Sequence, residues 1–125
     1  MTRTVKNGEL REIAMHLSEI WQNNSKEIKL SGKEMLNIVK LKKELIEKGS
    51  DIVDAFIEVG VNAGGEPDEK GQLKIPEDKV FEVNRALNDI AFATTEIVYT
   101  PVKIDDKAFI PVEILDLFCD LCEIE

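Results

Sequence analysis

Apolar residues in the first third of the chain fall into a helical rhythm. In GELREIAMHLSEIWQ, Leu10, Ile13, Ala14, Leu17, Ile20 and Trp21 recur at offsets that line one stripe of an amphipathic helix. Asn23 and Asn24 favour caps and turns over helix interiors, so the stripe predicts a helix over 8–22. TRTVK, just before it, alternates and predicts a short strand over 3–6.

Ser31 and Glu34 then form a capping-box signature, in which each side chain is placed to satisfy the other's orphan backbone N–H. Ile38, Leu45, Ile52 and Val59 recur every seven residues, with Val39, Ile46 and Val53 as a second series beside them. Gly49 interrupts this stretch, and KGSD has the residues to end one helix and cap another at Ser50. Both series keep phase across the glycine, however, which a chain break would destroy. One continuous helix over 32–61 is therefore expected, with Gly49 as the place for a kink.

NAGGEPDEKG reads as a loop by composition, and QLKI as a short strand over 72–75. Pro76 followed by Glu77 and Asp78 marks a helix start, because proline is tolerated in the first turn and acids suit the positive end of the dipole. Val80, Val83, Leu87, Ile90 and Ala91 carry that helix over 77–94. Two stripes joined by a turn-rich loop should pack as an antiparallel hairpin. EIVYTPVKI is rich in β-branched residues and predicts an edge strand within 96–104, with Pro101 keeping it at an edge. Pro111 opens a last helix over 111–122, striped by Ile114, Leu115, Phe118, Leu121 and Cys122. The expected fold class is α+β, mainly helical, with a long antiparallel helical hairpin and a small antiparallel sheet, in one domain over 1–125.

Composition supports a folded chain: 125 residues, 43% hydrophobic and 33% charged, can bury a core without staples. MTRTVKNGEL has no apolar leader segment and no apolar run approaches a bilayer span, so a cytoplasmic location without membrane contact is expected. The net charge of −9 is unevenly spread: residues 91–125 hold eight acidic and two basic groups. An acidic C-terminal third opposes phosphate-backbone binding and suits a basic partner.

Candidate chemistry is sparse. Cys119 and Cys122, the only cysteines, border the last apolar stripe and are flanked by Asp116, Asp120 and Glu123, which oppose thiolate formation. Zinc would need two further ligands, and the single histidine, His16, lies about a hundred residues away. Buried reduced thiols and no metal are the expectation. His16 falls just off its helix stripe and reads as a surface imidazole. PDEKGQLKIPED has the acids and glycine of a calcium loop in the wrong order, with Lys70 where a ligand is needed. Asp105 and Asp106 read as a solvated turn. No cofactor and no catalytic set are expected, and the chain is read as non-enzymatic.

Three surfaces remain. One is the acidic face of the last helix, with Glu113, Asp116 and Asp120 at offsets of zero, three and seven and Glu123 continuing it. A second is the lysine cluster Lys40, Lys42, Lys43 and Lys48, interleaved with Glu44 and Glu47 as a helix flank with Glu44–Lys48 support. The third is the tip from Gly64 to Lys70.

In element order the chain resembles short phage-encoded proteins of unknown function from phages of Gram-positive bacteria. The resemblance runs through VKNGELREIAMHL, KLKKELIEK, DEKGQLKI, VFEVNRALNDI, EIVYTPVKI and PVEILDLFCDL; VDAFIEVGVNAGG and the terminal cysteine pair depart from it. It implies a non-enzymatic phage or mobile-element accessory protein. Such a protein would bind a host protein with a basic surface, for example a defence nuclease whose nucleic-acid groove the acidic residues Glu113, Asp116, Asp120 and Glu123 occupy. The alternative is a phage assembly or virion-associated protein that oligomerises through its helical hairpin. The residues leave the oligomeric state open.

Overall fold

Two long helices frame the molecule in the computed structural model, which describes residues 1–118 and the backbone of 122–124. Helix α1 spans Asn7–Asn24 and α2 spans Gly32–Asn62. Three cross-contacts fix their direction. The Lys42 ammonium lies over the Trp21 ring at 4.6 Å, Gly49 abuts Ala14, and the Arg11 guanidinium lies over Phe56 at 4.5 Å. Positions that advance along α2 meet positions that recede along α1, so the pair is antiparallel. The long antiparallel hairpin of the expected mainly helical α+β fold is thus present, formed by α1 with α2, whereas the stripes predicted it between α2 and the following helix. Its linker, residues 25–31 with a 3₁₀ turn at Ser25–Glu27, is short enough to bring successive helices back side by side.

Helix α2 runs unbroken through Gly49, as the phase of its two apolar series predicts. Gly49 is fully packed, and a Cβ built there would overlap the Ala14 side chain and stand 2.9 Å from the Leu10 carbonyl oxygen. The glycine thus sets a close approach between two backbones, not a break. Leu10 and Leu17 of α1 meet Ile38, Leu41, Leu45 and Ile52 of α2 in the core.

Strand β1, Thr2–Lys6, runs straight into α1 and pairs antiparallel with β4, Thr94–Val98, from Thr2↔Val98 to Lys6↔Thr94. Val5 and Ile97 lie on its core side. Between α2 and β4 comes helix α3, Val80–Phe92, entered through a 3₁₀ turn at Glu77–Lys79 and packed on both α1 and α2.

Elsewhere the sheet differs from expectation. Leu73–Lys74 (β3) does not join β1 and β4 but pairs with Glu66–Pro67 (β2) in a small hairpin of its own. The segment 96–104 divides after Val98, and Val102–Ile104 forms a separate strand, β5. The last helix is shorter than 111–122. Helix α4 covers Val112–Phe118, and Cys122–Ile124 is strand β6, parallel to β5. Parallel neighbours need a crossover, and α4 supplies it, so the C-terminal region is a small β–α–β unit. Its helix is anchored by Ile114 and Phe118, both in the main core.

Candidate functional site

Pro111 starts α4 in the way the sequence anticipates. Its carbonyl accepts from the N–H groups of Ile114 at 3.0 Å and Leu115 at 2.9 Å. With Ile114 and Phe118 turned into the core, Glu113 and Asp116 are left exposed one turn apart on the outer side. Asp116 also interacts within the chain. Asp120 lies outside the described residues, as does Cys119. Glu123 belongs to β6, where its Cα partner is Lys103. The structure therefore brings Glu113 and Asp116 together on the helix and puts Glu123 on the adjoining strand. Cys122 likewise stands on β6, opposite Val102, and not on a helix beside Cys119.

The other candidates are placed as follows. His16 is a surface imidazole as expected, its Nε2 3.5 Å from Glu12 Oε2 one turn earlier. The lysine cluster is not a uniform solvated flank: Lys42 folds over Trp21, and Glu44 and Lys48 do not form an ion pair among the described residues. The 64–70 tip is a tight hairpin turn. Asp68 Oδ1 accepts from the N–H groups of Lys70 at 2.8 Å and Gln72 at 2.9 Å, and Gly64 and Gly71 take positive φ values of 88° and 78°. Asp68 thereby holds the turn. Asp105 similarly accepts from the Lys107 N–H at 2.9 Å. Among the described residues no three His, Cys, Asp or Glu side chains gather as a metal-binding group, and no helix is long and apolar enough to cross a membrane.

The capping box at the start of α2 is only half formed. Ser31 Oγ accepts from the Glu34 N–H at 3.3 Å. The Glu34 carboxylate does not reach back to Ser31; its Oε2 accepts from the Lys103 N–H at 2.8 Å, tying α2 to β5 across the chain. Beside this tie lies an open groove of about 460 Å³. Lys29, Ser31, Glu34, Lys103, Asp105 and Lys107 line it, mixing ammonium and carboxylate groups.

One exposed surface was not anticipated. Phe81 is 78% exposed and Phe92 71%, the two most exposed large apolar side chains among the described residues. Both lie on α3, on the side away from buried Val83. The signal was present in the sequence, since neither phenylalanine falls on the Val83–Leu87–Ile90 stripe. Comparison with protein-family models, curated proteins and solved structures finds no match for this chain.

Proposed function

We propose that this chain is a phage or mobile-element accessory protein that acts by binding a host protein, and that its partner presents a basic surface such as the nucleic-acid groove of a defence nuclease. The observation that carries the reading is the exposed pair Glu113 and Asp116 on α4, a helix held to the core by Ile114 and Phe118. Carboxylates on an anchored helix are preorganised, so less ordering opposes their bidentate pairing with arginines that otherwise hold phosphates. The charge around them has the same sign, eight acidic against two basic residues over 91–125. Such a field steers a basic partner and raises the association rate.

The test is a binding measurement on the captured partner across salt. Affinity should fall steeply as ionic strength rises, because exposed charges are screened over about 10 Å at 0.1 M salt. Glu113→Lys is the cleaner single reversal, since Asp116 has a partner within the chain; Glu113→Lys with Asp116→Asn should remove binding while the helical circular-dichroism signal is kept. Reversal of exposed Lys40 and Lys43 to Glu serves as the control and should leave binding unchanged. Lys42 is unsuitable for that purpose because it packs on Trp21. An acidic-face variant that binds as tightly as the parent refutes the reading.

A further inference from the structure

On a helix of about 3.6 residues per turn, Phe81, Arg85, Asn88 and Phe92 fall within roughly 60° of arc. All four are exposed. The phenylalanines stand at the two ends of this face, about 16 Å apart along the axis. Arg85 lies between them on one rim, and Asp89, also exposed, lies one turn further along the same rim. Among the described residues neither Arg85 nor Asp89 has an ion-pair partner, although their spacing would allow one within the helix.

The order Phe–Arg–Asp–Phe is complementary to itself when reversed. A two-fold axis perpendicular to α3 near residues 86–87 carries each end of the face onto the other. Phe81 of one copy then meets Phe92 of the second, and Arg85 meets the second copy's Asp89. A two-fold of this kind lies in the interface plane, so residues on one rim stay on that rim. Arg85 and the opposing Asp89 therefore arrive on the same side and at the same height. We infer that α3 is the interface of an antiparallel, two-fold homodimer of this protein.

Size sets the strength of such a dimer. A phenylalanine buries on the order of 150–250 Å², so covering four that are about three-quarters exposed removes roughly 600 Å² from water. Specific interfaces begin at about 1,200 Å² in total, so the polar residues between and beside the phenylalanines must contribute about as much again. A reversible dimer in the micromolar range is expected, not an obligate one. The inference is independent of the acidic-face reading, which involves α4.

Sedimentation velocity of the full chain from low micromolar to several hundred micromolar tests it. The parent should shift from monomer to dimer across that range. Phe81→Ser with Phe92→Ser should remain monomeric throughout with an unchanged helical spectrum, which is attainable because neither side chain is in the core. Charge provides the second arm. Arg85→Asp alone and Asp89→Arg alone each place like charges opposite one another and should weaken the dimer at least tenfold. Mixing those two variants in equal amounts pairs every acid with a base and should restore association as a heterodimer. A parent that stays monomeric at the highest concentration overturns the inference. So does a dimer that survives the double phenylalanine change, or a mixture that associates no better than its components.

Discussion

Gly49→Ala isolates the close approach that holds the two long helices together. In an isolated helix the change is favourable, by about 1 kcal/mol of propensity. Here the added methyl overlaps the Ala14 side chain and stands 2.9 Å from the Leu10 carbonyl oxygen. Neither obstacle can rotate aside, because one is a Cβ and the other is main chain. Relief requires the helices to separate, which loosens the packing of Leu10, Leu17, Leu41 and Leu45 around them. Overpacking of this sort costs about 1–3 kcal/mol and sometimes more. With two obstacles that cannot yield, the cost falls in the upper part of that range, about 2–3 kcal/mol, so Gly49→Ala should be less stable by about 1–2 kcal/mol. At roughly 4 °C per kcal/mol for a domain of this size, the melting temperature should drop by about 4–8 °C.

Gly32→Ala is the control. A Cβ at Gly32, the first residue of α2, has no atom within 4 Å, so that change should be neutral or slightly stabilising. Denaturant unfolding of both variants and of Gly49→Ala combined with Ala14→Gly completes the test. Shortening Ala14 removes one of the two obstacles, so the pair should be coupled, with part of the lost stability recovered beyond additivity. A Gly49→Ala protein as stable as the parent would show that the helices are not in contact there.

Two further outcomes are expected. Glu34→Ala should cost about 1–2 kcal/mol by removing a charge-assisted hydrogen bond to the Lys103 N–H; Glu34→Gln, which keeps an acceptor, should cost less, and faster hydrogen exchange at the Lys103 amide would locate the loss. Replacing Cys119 and Cys122 together by Ala should leave metal content unchanged by elemental analysis, and stoichiometric zinc that disappears in the double variant would contradict the reading of these thiols.

What could be read from the sequence depended on how many residues voted. Two seven-residue series run through α2, enough to decide that Gly49 lies inside one helix. At the C-terminus the vote was split. Leu121 and Cys122 continue the helical offsets of Ile114 and Phe118, while Cys122, Glu123 and Ile124 alternate with the period of a strand. Three residues do not settle that contest; pairing with β5 does, and a parallel partner reached through a crossover helix leaves no local signature. The same limit hid the β2–β3 hairpin, whose two-residue strands carry no pattern, although Asp68 and Gly71 are turn-formers. For the candidate surfaces, residue type and order were legible, and placement was not. Glu113 and Asp116 share the exposed side of α4 as their three-residue spacing requires, whereas Glu123, read as continuing that acidic series just past the expected helix, lies on strand β6.

The two proposed surfaces also bear on one another. Helix α3 packs on α1 and α2, and α4 packs on α1, so each is docked onto the hairpin through its own apolar side. An outward-facing change on one therefore leaves the support of the other intact, which is why the tests are separable. If both readings hold, pairing through α3 gives a particle with two α4 faces related by a dyad. Two such faces on one rigid particle suit a partner that is itself two-fold symmetric, since engagement at the first face raises the effective concentration at the second. Each single face need then bind only weakly. That accords with a short helix offering Glu113 and Asp116 within a broadly acidic field, a surface better suited to steering and register than to tight binding by one copy.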